Sequence, residues 1–269
     1  MADFITHSTF ADDILEYAHF DLKQHCARHA NLFRLGAQGP DLFFYFEIRR
    51  HSLSYGRIGS NLHKALSVED VLSKVSALKS TDNDFGEKIA FLLGFACHLS
   101  LDSFVHPYIK EREPQIAKLE NCSNRCAHIK LETQFEAYQY GERTGKKPSA
   151  FNWHMDLPLN DRERQIAAEL IGELSEVLNE KYTDKATCDK LLRSLPHLYR
   201  ISFDKCHVMR ALFDFGRLFS RHDFSLRWHI KRPLCTHIKY PVAQEDLTKL
   251  SILYDEALVA FSRRLESSF

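Results

Sequence analysis

The chain has 269 residues, 44% of them hydrophobic and 27% charged, with 36 Lys+Arg set against 36 Asp+Glu. That length allows one large domain or two small ones, with a core that needs no disulfide or metal staple. The balanced charge argues against a nucleic-acid binder, and the apolar fraction with its 20 Phe argues against disorder.

Gly and Pro are scarce, 10 and 8, which favours long helices over many short strands. Between Ala11 and Phe33 the residues Ile14, Leu15, Ala18, Leu22, Cys26 and Ala30 recur at helical spacing. Gly36, Gly39 and Pro40 must break that helix. A second helix is expected over Asn61 to Leu78. A third starts near Asp82 or Asp84, carries Ile89, Leu92, Leu93, Ala96 and Leu99, and ends near His106 because Pro107 follows. A fourth covers Ala127 to Tyr140 and stops at Gly141. In the second half Ile166, Ala167, Leu170, Ile171, Leu174, Val177 and Leu178 form an amphipathic stripe, and helices follow near 197–221 and 243–266. The expected architecture is an all-α, multi-helical bundle. A single domain over 1–269 is favoured, since 141–159 is the one candidate boundary.

No apolar run nears the ~18 residues of a membrane span. Met1-Ala2-Asp3-Phe4 lacks the basic start and apolar stretch of a signal peptide. The expectation is a cytoplasmic chain without a transmembrane segment. Seven cysteines at irregular spacing suit a reducing compartment.

The 15 histidines are the more informative count. His98 with Asp102, and His128 with Glu132, are each four residues apart, so each pair shares a helix face and could chelate a cation. Surface ion pairs have the same spacing. Context separates the two cases for His98, which lies in the apolar run Phe91-Leu92-Leu93-Gly94-Phe95-Ala96-Cys97. An uncompensated imidazole is costly to bury there. His106 follows on the same helix, and His7, Asp41 and His63 lie upstream.

Those segments together resemble the zinc-dependent phospholipase C family, whose site is shared with P1-type nucleases. The matching pieces are Thr6-His7, Gly36-Ala37-Gln38-Gly39-Pro40-Asp41, Leu62-His63, the run from Leu93 to Asp102, Val105-His106-Pro107 and His128-Ile129-Lys130-Leu131-Glu132. The resemblance implies an all-α fold and a site for two or three zinc ions. Asp41, His63, His98 and Asp102 would hold one ion, with Asp102 bridging to a second that His7 also binds. His106, His128 and Glu132 would hold a third. It also implies phosphoric ester hydrolysis, with a metal-bound hydroxide attacking phosphorus and Asp41 as the candidate catalytic base. The substrate would be a phosphate ester, a phospholipid among them. The alternatives are a nuclease or phosphomonoesterase on the same metal cluster, or a non-catalytic metal-binding helical protein. The helical second half does not resemble the membrane-docking β-sandwich of toxins in this family.

Three other features carry competing readings. Cys122-x-x-x-Cys126-x-His128 could begin a zinc-thiolate site, but no second pair at finger spacing follows. His222-Asp223 lacks the rest of any His-Asp phosphohydrolase pattern. From Arg217 to Lys239, six Lys/Arg face one acid, Asp223, with Phe224 and Trp228 interleaved. That stretch is either a solvated basic face or a surface for an anionic phosphate or peripheral contact with an anionic bilayer. No phosphate-binding glycine loop or Gly-x-Ser-x-Gly elbow is present.

Overall fold

The structure, a computed structural model, describes residues 4–44, 53–146, 159–178, 183–203 and 242–268. Among the described residues the regular elements are helical and there is no strand. In chain order they are α1 (Phe4–Tyr17), α2 (Phe20–Arg28), α3 (Ala30–Gly36), a 3₁₀ turn (Gly39–Asp41), α4 (Leu53–Ala65) and α5 (Val68–Ala77). There follow α6 (Phe85–Glu120), α7 (Asn124–Thr144), α8 (Asp161–Ser175), a 3₁₀ turn (Glu176–Leu178), α9 (Lys185–Phe203) and α10 (Gln244–Ser268).

The all-α expectation holds, with four boundaries corrected. The helix expected over 11–33 is α1, α2 and α3, broken first where His19 takes φ −53 and ψ 147 and again where His29 takes φ −115 and ψ 42. The helix expected over 61–78 is α4 and α5. Ser67 divides them through a capping box, its hydroxyl accepting from Asp70 N while the Asp70 carboxylate accepts from Ser67 N.

The third correction is that α6 does not end at His106. It continues through Pro107 and Pro114 to Glu120. A proline inside a helix costs about 3 kcal/mol. Leu101, Val105 and Ile109 around Pro107 are all buried, and each such side chain contributes about 1.5–3 kcal/mol, so packing outweighs the local penalty. The fourth is that α7 runs past Gly141 and stops at Gly145, whose φ of 64 is the left-handed geometry that closes a helix. The expected 197–221 helix is seen as the later part of α9, and its remainder, with His222-Asp223 and the basic stretch to Lys239, lies outside the described residues.

By length and composition α6 alone among the described helices could cross a membrane, through its most apolar 18-residue window. The expectation that no such stretch exists needs this amendment. Because 83% of that window is buried inside the protein, the same composition serves a core helix. Free thiols at Cys26, Cys97, Cys122, Cys126 and Cys188 agree with the absence of a disulfide framework among the described residues.

Contacts group the chain into two compact units. The first comprises His7–Ser103, Asp156–Pro196 and Glu256–Phe269. Its core is built on Phe10, Ile14, Cys26, Phe33, Val71, Phe91, Leu93 and Ala96, all buried. Within it α3 and α6 approach at backbone distance. A methyl group on Gly36 would lie 2.1 Å from Phe91 O, and one on Gly94 would lie 2.1 Å from Phe33 O. Only residues without a Cβ permit that approach, and it sets the 36–41 segment directly against the middle of α6.

The second unit comprises Met1–Thr6, Phe104–Met155 and His197–Asp255. It is tied by polar groups on buried positions. Asp246 accepts from Tyr108 Oη and pairs with Arg112, with Arg112 Nε at 2.7 Å. Glu136, itself buried, accepts the Ile5 N–H at 2.6 Å in the first turn of α1, where amides have no helical partner.

Candidate metal centres

In the first unit α6 presents His98 and Asp102 one turn apart, and three other elements bring side chains to them. The Asp102 carboxylate is 3.3 Å from His98 Nε2, 3.3 Å from His63 Nδ1 near the end of α4, and 3.4 Å from His7 Nε2 in α1. His63 Nε2 meets Asp41 Oδ1, at the end of the first 3₁₀ turn, at 2.9 Å. The His7 and His98 rings stack with centroids 4.0 Å apart. His7, Asp41, His98 and Asp102 are buried, and His63 is half-buried.

Two sets of donor atoms each lie within 4.8 Å of one another: His7 with His98 and Asp102, and Asp41 with His63 and His98. His98 belongs to both sets, whereas the resemblance implied that Asp102 alone joins the two ions. In the structure Asp102 still touches one histidine of each set besides His98.

The 36–41 segment orients His98 in two ways. His98 Nδ1 lies 3.1 Å from the carbonyl of Ala37. A carbonyl only accepts, so Nδ1 carries a proton and Nε2 is the nitrogen that faces Asp102. That Nε2 is buried, 3.3 Å from Asp102 Oδ2. A buried imidazole nitrogen aimed at a carboxylate, with its other nitrogen anchored, is the donor geometry of a metal ligand. Gly39 supplies the second constraint. Its φ is +50, and a Cβ there would sit 2.5 Å from His98 Cγ. Gly39→Ala should therefore cost about 1–2 kcal/mol in the left-handed backbone and also displace the ring. The expected outcome is zinc binding weakened roughly 10–100-fold, the range for loss of an orienting partner, with the helical circular dichroism retained. Unchanged zinc titration of this variant would refute the constraint.

The charges of this cluster are mutually supporting. Burial would push the Asp41 carboxyl up, but the hydrogen bond from His63 and the fields of His98 and His63 hold it well below the usual range. Burial also opposes a charge on His98, yet Asp102 and Asp41 raise it overall. Burial and the neighbouring His98 lower His7.

In the second unit a separate group forms from His106, His128 and Glu132, whose donors lie within 4.8 Å of one another. His106 Nε2 is 3.3 Å and His128 Nε2 3.0 Å from Glu132 Oε1. Behind His128 stands Glu113, with Oε1 2.6 Å from Nδ1. Burial disfavours charge on His128, but Glu132 and Glu113 lift it to about 9, while Glu132 is held low despite its own burial.

All eight residues expected at the site thus fall in these two clusters. Glu113, the Ala37 carbonyl and the conformation of Gly39 were not anticipated, because each acts through a partner distant in sequence. Cys122 and Cys126 join no group of three close metal donors among the described residues. Of the aromatic run 43–45, Phe43 is buried core, Phe44 lies parallel to His63 at 6.5 Å, and Tyr45 is outside the described residues.

The nitrogen and oxygen donors, three imidazoles around one buried carboxylate, fit zinc by their chemistry. A family model described as zinc dependent phospholipase C matches residues 1–180. No curated protein and no solved structure matches the chain.

Proposed function

Since the chain belongs to the zinc-dependent phospholipase C family, we propose that it is a metal-dependent phosphoric ester hydrolase whose site is the cluster around Asp102. The observation that carries this reading is the Asp102 carboxylate within 3.3–3.4 Å of His7, His63 and His98. His7, Asp41, His63, His98 and Asp102 would hold zinc in the first unit, and His106, His128 and Glu132 would hold zinc in the second. Bound zinc supplies Lewis acidity toward phosphate oxygens and lowers the pKa of an attacking water.

The chain's own groups do the rest. His98 is kept in one tautomer by the Ala37 carbonyl, so its Nε2 faces the site without rearrangement. Asp41 remains ionised and accepts from His63 through Oδ1. As an ionised carboxylate beside the histidines, Asp41 is placed to accept a hydrogen bond from the attacking water and so to orient it. Burial of His7, Asp41, His98 and Asp102 lowers the local dielectric and strengthens the electrostatic contacts among them.

The family points to a phospholipid-type substrate. A small soluble ester need not leave a bilayer to reach the site, and we expect it to react faster. Hydrolysis of a soluble phosphodiester, a phosphomonoester, single-stranded nucleic acid and phosphatidylcholine vesicles should be compared at equal phosphate, with and without chelator. The expected result is chelator-sensitive turnover, fastest on the soluble diester. Fastest turnover of vesicles would make the protein a true phospholipase, and fastest turnover of nucleic acid a nuclease. Zinc binding without turnover of any of the four would leave a non-catalytic metal-binding protein.

A further inference from the structure

Resting on the metal reading of His106, His128 and Glu132, we propose that Glu113 is a positioning residue for that centre. Its carboxylate accepts the Nδ1–H of His128 and so commits Nε2 to the metal side. A neutral imidazole has one N–H and one lone pair, and which nitrogen carries which is decided by its neighbours. Here the two nitrogens meet two carboxylates, Glu113 Oε1 at 2.6 Å from Nδ1 and Glu132 Oε1 at 3.0 Å from Nε2.

Only Nε2 lies on the side of the other donors, since Glu132 Oε1 is also 3.3 Å from His106 Nε2. Glu113 is not among those close donors, so it acts through the ring. Both the Glu113 and His128 side chains are 16% exposed, which shields the bond from competing water. The adjacent Arg112 is committed to Asp246, with Nε 2.7 Å from its carboxylate. Glu113 therefore has a task other than pairing with its neighbour.

The first cluster shows the same arrangement with a different part, the Ala37 carbonyl on His98 Nδ1. A backbone carbonyl cannot be removed by substitution, but Glu113 can. The carboxylate also does more than orient, because its charge raises the basicity of the imidazole and tightens the metal bond.

The test uses the full chain loaded with zinc, in wild type and in Glu113→Ala, Glu113→Gln and His128→Ala. Zinc per chain and zinc affinity are read by chelator competition, and the His128 Nδ1–H by nitrogen-15 NMR. His128→Ala should lose the zinc of this centre. Glu113→Ala should keep its fold, bind that zinc roughly 10–100-fold more weakly, and lose the Nδ1–H signal to exchange with water. Glu113→Gln, whose amide oxygen still accepts, should keep the signal and recover much of the affinity.

Wild-type affinity and an unchanged Nδ1–H signal in Glu113→Ala, with zinc lost in His128→Ala, would overturn the role of Glu113 and leave the centre standing. Equal zinc in wild type and His128→Ala would overturn the centre and the proposal with it. If Glu113→Ala fails to fold, Glu113→Gln decides: loss of the Nδ1–H signal with full zinc affinity refutes positioning.

Discussion

Asp102→Asn should remove at least one zinc per chain and nearly all phosphoric ester hydrolysis, while the helical fold persists. The substitution keeps the shape and changes one group. Asp102 offers Oδ1 to His7 at 3.4 Å, and Oδ2 to His63 and His98 at 3.3 Å each. An asparagine replaces one of those oxygens with an NH₂, which donates hydrogen bonds and does not bind a cation. It also removes the negative charge that three buried or half-buried imidazoles share, which in a low-dielectric site is worth far more than at the surface. Loss of an outer partner costs roughly 10–100-fold in metal affinity, and loss of the central carboxylate should cost more. Elemental analysis per chain and hydrolysis of a soluble phosphodiester measure it. Wild-type zinc content with wild-type rate would reduce Asp102 to a structural residue and remove the basis for the proposed site.

Gly94→Ala should be the most destabilising of the small substitutions. The added methyl would lie 2.1 Å from Phe33 O and 2.8 Å from Ala37 N, both backbone atoms. Side chains can rotate away from an intruder, but here α3 as a whole must move. Overpacking a core costs about 1–3 kcal/mol and occasionally more, and a backbone clash belongs at the upper end. About 3 kcal/mol corresponds to a fall in Tm of roughly 6–12 °C for a chain near this size. Zinc binding should fall as well, because α3 leads into Ala37, whose carbonyl holds His98, and on to Gly39 and Asp41. Thermal unfolding with and without zinc measures both effects. A Tm within about 1 °C of wild type would show that α3 and α6 are not in backbone contact.

Much of this was legible in the linear chain. Scarce Gly and Pro and a 3.6-residue apolar period are local properties, so the all-α class followed from them. His98 with Asp102, and His128 with Glu132, could be paired because four residues along a helix is one turn. His7, Asp41 and His63 could be named as upstream donors, but only the resemblance to a family assigned them to one site with His98, since no period links an α1 residue, a 3₁₀ turn and the end of α4.

Two local rules met distant contacts, and only one of them failed. Pro107 argues for a helix end, yet α6 continues because Leu101, Val105 and Ile109 are buried around it. Gly36 and Gly39 argue for a break, and the break is there, but Gly36 also admits the backbone of α6 and Gly39 admits the His98 ring. Glu113 carried no signal at all, because a glutamate beside Arg112 on a helix resembles any solvated pair. Composition and period thus determined helices and their polar exceptions. Which carbonyl holds His98, which carboxylate holds His128 and which residues gather around Asp102 depend on packing between segments far apart in sequence. Only the tertiary structure decided them.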